Sequence, residues 1–429
     1  MRDFGRSDDP RVQAQLDRLA ALSLPQGRLG LETIRALMER LGNPHRKLPP
    51  VFHVAGTNGK GSTCAFLRAM LEAEGYKVHV TTSPHLVRYN ERIRLAGELI
   101  SDAELAATLE GVLHAGEDLS PSFFEVTIAA AFLAFSRTPA DACVVEVGMG
   151  GRFDATNVLE PVALAACGIA ALGLDHERFL LAPEDGVPTE PMARIAFEKA
   201  GIAKKGVPLV AMNNGDKPNV EIARAAERVG AIIFAYNKHW YIGAHSGFLE
   251  DDRGELNLPP PSLVGEHQMM NAGLAAAMLR AQARIPVSDN AILAGVRSAH
   301  WPARMQRLKP GPLVGARTVW LDGGHNPQAG AMLAAHFQHE RLHLVIGMIE
   351  GKDPAALTAP LAPLLESVTA VPVPGHDWHP ASAFGPDARP APDVPSALAM
   401  IPNDGLPILI AGSLYLAGEV LRLNDELPD

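Results

Sequence analysis

The chain has 429 residues, long enough for two or three domains with a core each. Apolar residues make up 47% and charged residues 20%, which excludes a disordered or fibrous protein, and a net charge of -10 argues against nonspecific nucleic-acid binding. Cys64, Cys143 and Cys167 lack C-x-x-C spacing and read as core thiols in a reducing compartment. No apolar signal segment precedes Gln26, and the longest apolar run, Val126 to Phe135, is shorter than the roughly 20 residues that span a bilayer. A cytoplasmic protein without nucleic-acid or membrane partners is expected.

Leu29 to Leu41 carries apolar residues at helical spacing and stops at G-N-P. Val51 to Ala55 reads as a short buried strand, and Cys64 to Leu71 continues at helical spacing, so Gly56 to Ser62 is a strand-to-helix turn. Its run G-T-N-G-K-G-S (Gly56, Thr57, Asn58, Gly59, Lys60, Gly61, Ser62) predicts a phosphate loop. Glycines allow close backbone approach, N–H groups and the helix start face an anion, Lys60 bridges outer phosphates, and the hydroxyl of Ser62 or Thr63 faces magnesium. The spacing departs from G-x-x-x-x-G-K-[ST]: the first glycine would fall at Val54, and Gly61 separates Lys60 from Ser62.

Lys77 to Thr82 is the second predicted strand, and it places Ser83 where open parallel sheets bind ligands. P-S-F-F-E (Pro121 to Glu125) opens a helix running through Phe135. Asp141 to Val147 is a buried strand ending in G-M-G-G-R-F-D-A-T-N. Glu146 is an acid in that apolar strand and needs a cation, either magnesium or an arginine. Val162 to Leu172 is another strand, with His176 beyond its end. The stretch before Lys199, L-L-A-P-E-D-G-V-P-T-E-P, is either a surface loop or an element that changes how Lys199 reaches its site.

Further on, Gly206 to Met212 and Ala231 to Ala235 read as strands around a helix from Asn219 to Val229. Tyr241 to Leu258 reads as a hairpin turning at Asp251 to Gly254, and Leu263 begins a long helix. Beyond a linker at Ser298 to Leu308, strands at Thr318 to Leu321, Leu342 to Gly347, Ser367 to Val373 and Leu406 to Ala411 alternate with helices. Ala381 to Pro395 reads as a loop.

These motifs together resemble the folylpolyglutamate synthase and dihydrofolate synthase family of the Mur ligase superfamily, in its bacterial bifunctional form. The resemblance runs from Leu29 to Gly418 through G-T-N-G-K-G-S, the Thr82 to Leu95 run, P-S-F-F-E, E-V-G-M-G-G-R-x-D-A-T-N, W-P-A-R, D-G-G-H-N-P and G-S-L-Y-L-A-G. It implies an α/β fold: a P-loop-type ATPase domain with a mainly parallel sheet (1–297), a linker (298–310) and a smaller Rossmann-like domain (311–429). It also implies an ATP-dependent ligase that adds L-glutamate to dihydropteroate and to the γ-glutamyl tail of reduced folates through an acyl-phosphate. The alternatives are a folylpolyglutamate synthase alone, or a P-loop ATPase regulator without ligase activity. By the same resemblance two magnesium ions are held by Ser62, Ser83, Glu146, His176 and a carbamylated Lys199. ATP is held by the phosphate loop, Asn271, Arg304 and Asp322, with His325 lining the cleft. Arg28, Leu29, Gly30, Leu31, Ser122, Phe123, Phe124, Glu125, Phe153, Asp154 and Ala155 are implied at the substrate. A monomer is expected.

Overall fold

A computed structural model of the protein describes residues 6–22 and 30–428. The described residues fall into two compact units. One comprises the chain up to Pro84, Arg88–Ser262 and Glu266–His300; the other comprises His85–Val87, Leu263–Gly265 and the chain from Trp301 onward.

The first unit begins with helices α1 (Pro10–Ala20) and α2 (Glu32–Arg40), then strand β1 (Val51–Ala55) and helix α3 (Lys60–Ala73). β2 (Val78–Thr81), β3 (Ile93–Leu95), β4 (Glu98–Leu99), α4 (Asp102–Ala115), α5 (Phe123–Arg137), β5 (Ala142–Glu146) and β6 (Leu164–Ile169) follow. The unit continues through α6 (Glu177–Leu180), α7 (Pro191–Ala200), β7 (Pro208–Ala211), α8 (Asp216–Val229) and β8 (Ile232–Ala235). Its eight strands lie in the order β4-β3-β2-β5-β1-β6-β7-β8. All neighbours from β2 to β8 pair in parallel, while β3 and β4 add an antiparallel edge. β1 and β5 are wholly buried, as a sheet covered by helices requires, and this is why they read as unbroken apolar runs. Because these strands run the same way, the turns after β1, β2, β5 and β6 all emerge at one edge, with β1 between β5 and β6.

The predicted hairpin is a three-stranded antiparallel meander: β9 (Trp240–Ile242), β10 (Phe248–Asp251) and β11 (Gly254–Asn257). The third strand escaped notice because Trp240 to Ile242 is too short to show alternation by itself. The buried Arg280 near the end of α9 (His267–Ala281) ties the meander down with a bidentate pair to Asp251 and a bond to the Gly254 carbonyl. Helix α10 (Asp289–Ser298) packs against α3 at Gly295, where an added Cβ would lie 2.5 Å from the backbone of Met70. Gly295→Ala is therefore expected to destabilise the unit by about 1–3 kcal/mol in urea unfolding, since the obstruction is backbone and cannot swing away. An unchanged midpoint would show slack between the two helices.

The second unit holds β12 (Gln306–Arg307), β13 (Val319–Asp322), α11 (Pro327–His336), β14 (Leu342–Ile346), α12 (Ala355–Leu361), β15 (Leu365–Ala370), β16 (Arg389–Pro390), α13 (Val394–Met400), β17 (Ile408–Ala411) and α14 (Leu414–Leu423). Its sheet order is β12-β13-β17-β14-β15-β16, parallel except for β12. Two parts of the sequence reading are corrected here. The expected linker contains β12, and the expected loop at 381–395 contains a 3-10 turn, β16 and the start of α13. Both were masked by proline and alanine, whose turn signal outweighs a two-residue strand. Gly418 of the last signature is required by packing, because a Cβ there would overlap the carbonyl of Leu86.

The three cysteines are buried free thiols. Burial raises the pKa of each, that of Cys167 to about 12, so none is a thiolate nucleophile at neutral pH.

Candidate active site

The turn after β1 is shaped by its neighbour β6. The N–H groups of Thr57 and Asn58 donate to the Ala171 carbonyl at 2.9 and 3.1 Å, and the Thr57 hydroxyl both donates to and accepts from the Gly173 backbone. The Thr57 and Asn58 N–H groups thus serve the turn after β6. From Gly59 on the picture changes. Gly59 sits at φ +80 in the left-handed region, caps α3 without a side-chain bond, and leaves the first-turn N–H groups and the positive end of the helix for a ligand. The Lys60 ammonium lies 3.4 Å from the Thr57 carbonyl and 4.0 Å from Glu146 Oε1. Ser62 is buried in the first turn, and the Thr63 hydroxyl is buried without a hydrogen-bond partner.

Glu146, at the end of β5, is 5% exposed. One cation it meets is Lys60, and its Oε2 accepts from the Ser83 N–H at 3.1 Å. Ser83 precedes a cis peptide to Pro84. Lys199, on α7, is buried and donates to the Gly56 carbonyl at 2.9 Å. Burial, together with the nearby Lys60, lowers its pKa to about 7 against the opposing pull of Asp175, Asp154 and Glu198. An amine poised near neutrality is half deprotonated at pH 7, and only that form is nucleophilic.

The residues fit a magnesium ion in donor chemistry but not as a complete cage. Glu146, Ser62 and Ser83 supply the hard oxygens magnesium prefers, and magnesium usually takes few protein ligands plus phosphate oxygens and water. Among the described residues no three His, Cys, Asp or Glu side chains cluster as metal ligands. His176 has φ 51 at the start of α6, and its ring lies 3.5 Å from Asp175 Oδ2. Asp175 thus lies against the ring of the histidine expected at the metal.

On the substrate side, Arg28 and Leu29 lie outside the described residues. Gly30 precedes Leu31, which is buried at the start of α2. Ser122 and Glu125 form a capping box for α5, each bonding the other's backbone, so both implied binding side chains have a structural role. Phe123 packs edge-on against Tyr89. Phe124 closes over Gly148, where a Cβ would lie 2.3 Å from its ring, and so meets the turn after β5. On that turn the Asp154 carboxylate is buried and accepts from the N–H groups of Met149 and Thr156, while Ala155 is buried beside it.

Gly151 allows this turn to touch α7 backbone to backbone, since a Cβ there would lie 2.7 Å from the Lys199 carbonyl. The Arg152 N–H donates to the Glu198 carbonyl at 2.7 Å. Side chains add a four-member ion network: Arg152 and Arg194 each pair with both Glu184 and Glu198. Phe153 lies under the Arg152 guanidinium at 4.2 Å. Glu184 belongs to the long proline-rich connection, so that stretch is pinned to the helix bearing Lys199 and is not a plain surface loop. Arg152, Phe153, Phe179, Glu184 and Glu198 line a cavity of about 530 Å³.

Asn271, on α9, directs its carbonyl oxygen at Gly59, where a Cβ would lie 2.3 Å from it. In the second unit Asp322 ends β13. Its two oxygens accept from the N–H groups of Met305 and Gly324, burial raises its pKa, and Arg304 opposes that rise. His325 bonds the Gly323 carbonyl through Nδ1 at 3.2 Å. Ala303, the third residue of W-P-A-R, adopts φ 56, in the left-handed region. A side chain in that conformation costs about 1–2 kcal/mol relative to glycine.

No family model matches the chain. It is 36% identical over 365 residues to the dihydrofolate synthase/folylpolyglutamate synthase of Escherichia coli, covering 83% of this chain and 78% of that one. To the Bacillus subtilis protein of the same name it is 35% identical over 345 residues, covering 75% and 76%. A Halobacterium salinarum relative, a probable bifunctional folylpolyglutamate synthase/dihydropteroate synthase, is 36% identical over 81% of this chain, but the match spans only 41% of that longer protein. Among solved structures, E. coli FolC in complex with DHPP and ADP superposes with a TM-score of 0.84 at 32% identity, covering 96% of this chain and 97% of that one. Mycobacterium tuberculosis folylpolyglutamate synthase complexed with ADP and AMPPCP gives 0.80 at 31%, covering 94% and 97%. No helix among the described residues is long and apolar enough to cross a membrane. With a glycine-rich turn, a buried acid and a buried lysine meeting after β1, and with the E. coli and B. subtilis relatives matched over three quarters of their own length, the chain belongs to the dihydrofolate synthase/folylpolyglutamate synthase family of ATP-dependent ligases.

Proposed function

We propose that this chain adds L-glutamate to dihydropteroate and to the γ-glutamyl tail of reduced folates at the expense of ATP. The observation that carries the proposal is the convergence of Lys60, Glu146 and Lys199 on the turn after β1. A cation beside the terminal phosphate, an acid able to hold a metal and a lysine poised near neutrality are what carboxylate activation by phosphoryl transfer requires.

In this reading a carboxylate oxygen of the pterin substrate attacks the γ-phosphorus of ATP, and ADP leaves. The glutamate nitrogen then displaces phosphate from the acyl carbon and loses its proton. Lys60 and the first-turn N–H groups of α3 hold the phosphates. Glu146, with Ser62 and Ser83, would hold magnesium, joined by His176 and by Lys199 as its carbamate, and the metal would neutralise phosphate charge. Phe124, Phe153 and the backbone of the Gly148 to Ala155 turn orient the pterin. Asn271 of the first unit, and Arg304 and Asp322 of the second, are read as nucleotide contacts, with His325 on the turn that follows Asp322. Residues 1–297 are taken as the ATP-binding domain, 298–310 as its linker and 311–429 as the ligase domain. The protein acts as a monomer in the cytoplasm.

The test follows ADP release by purified protein given ATP, magnesium and glutamate, with and without each carboxylate substrate. ADP release matched one to one by amide formation with both dihydropteroate and a reduced folate is expected. Release that ignores both acids would mean an uncoupled ATPase, and release with the folate alone would restrict the chain to tail elongation.

A further inference from the structure

We infer that Gln268 is a positioning residue of the nucleotide site: it locks the amide of Asn271 so that the carbonyl oxygen, and not the NH2 group, faces the phosphate loop. This rests on the reading of Asn271 as a nucleotide contact. Gln268 and Asn271 lie one turn apart on α9, on the same face, and both are buried, Gln268 completely. Gln268 Oε1 accepts from Asn271 Nδ2 at 2.9 Å. A primary amide has one donating and one accepting end, so engaging Nδ2 with Gln268 commits Oδ1 to the opposite side. That side is Gly59, the residue that opens α3, where only the absence of a Cβ leaves room for the oxygen.

The other end of Gln268 supplies a second, independent observation. Its Nε2 is buried without a hydrogen-bond partner, and the Thr63 hydroxyl in the first turn of α3 is in the same condition. Leaving such a donor unsatisfied costs about 1–3 kcal/mol. A residue chosen for packing alone would be leucine or methionine, which fill the same space without that cost. Glutamine is what the position requires if its oxygen has to hold Asn271.

A chemical consequence follows for the ligand. A carbonyl oxygen repels a phosphate oxygen and attracts a donor, so the nucleotide group that meets Asn271 is the exocyclic amine of the base or a ribose hydroxyl. Either gives selectivity: the first against inosine triphosphate, which carries a carbonyl in place of the amine, the second against deoxy-ATP.

The test uses the full-length chain and its substrate-dependent ADP release. KM and kcat are measured for ATP, inosine triphosphate and 2′-deoxy- and 3′-deoxy-ATP in the wild type, Asn271→Ala, Gln268→Met and Gln268→Glu. The wild type is expected to prefer ATP by at least about tenfold in kcat/KM over one of the three analogues. Gln268→Met should lose most of that preference, mainly through KM, with little change in melting temperature, because at nearly constant volume it removes one unsatisfied donor while leaving Asn271 Nδ2 without its acceptor. Gln268→Glu keeps the accepting oxygen, so it should keep the preference even if its charge weakens all nucleotides alike; it also serves if the methionine variant does not fold. A wild type that uses all four nucleotides equally overturns the inference, as does loss of the preference in Gln268→Glu or its retention in Gln268→Met. An Asn271→Ala protein with unchanged KM for ATP removes the underlying reading as well. If that KM rises while Gln268→Met behaves as wild type, the inference about Gln268 alone is wrong.

Discussion

Lys199→Ala is expected to lower ligation by about two to three orders of magnitude, the loss typical when a preorganised charged group at the reacting phosphate is removed. Added formate or acetate should restore part of the activity, because the alanine variant leaves room for a small carboxylate where a carbamate would stand. Stripping carbon dioxide from the buffer should depress the wild type and leave the variant unchanged. Undiminished activity in Lys199→Ala would remove the carbamate from the mechanism.

The same residue should leave a signature in stability. In the metal-free protein the Lys199 pKa is about 7 when folded, against an ordinary 10.5. Between these values the unfolded chain binds more protons than the folded one, so stability rises with pH across that window. Below pH 7 the cost of burying this amine is fully present and constant, and above 10.5 it is gone. Lys199→Met removes the titration while keeping most of the stem, so the inactive variant should be the more stable protein near pH 7. The difference, on the order of a few kcal/mol, should shrink as pH rises towards 10. Metal-free urea unfolding at several pH values measures it, and a difference independent of pH would show that Lys199 is not held neutral.

Glu184→Ala is expected to cost about 3 kcal/mol of stability. It leaves Arg152 and Arg194 to share Glu198 in a largely buried setting, where an unmatched charge is worth more than the pair it once formed. Activity should fall with it, because the network joins the turn after β5 to the helix bearing Lys199. Adding Arg152→Met should recover much of the stability, since one guanidinium then faces one carboxylate. A single variant as stable as wild type, or a double variant no better than the single, would mean that the connection carrying Glu184 is held by other contacts.

How much of this was legible beforehand differs by residue. The turn at Gly56 to Ser62 could be read because a strand, three glycines and a helix lie in one continuous stretch, and Glu146 because an acid in an apolar strand demands a partner. The meander at Trp240 to Asn257 was read one strand short, and the role of Glu184 was left open, because a two- or three-residue strand or a single acid in a proline-rich stretch has no period of its own. Ser122 and Glu125 show the limit from the other side: their spacing marks a helix cap, and the structure uses them as one.

By itself, then, the chain determined what its local order can encode: the alternation of buried strands and helices, the glycines that admit close backbones, and the residue types stationed at each strand's carboxyl end. Only the tertiary structure decided which of them meet. It set β1 between β5 and β6, diverted the Thr57 and Asn58 N–H groups to Ala171, brought Lys199 under the Gly56 carbonyl from a helix 143 residues later, and engaged Gln268 with Asn271 above Gly59. The reason is physical: period and capping act over a few residues, whereas burial, and with it the charge state of Lys199, depends on everything the fold packs around it.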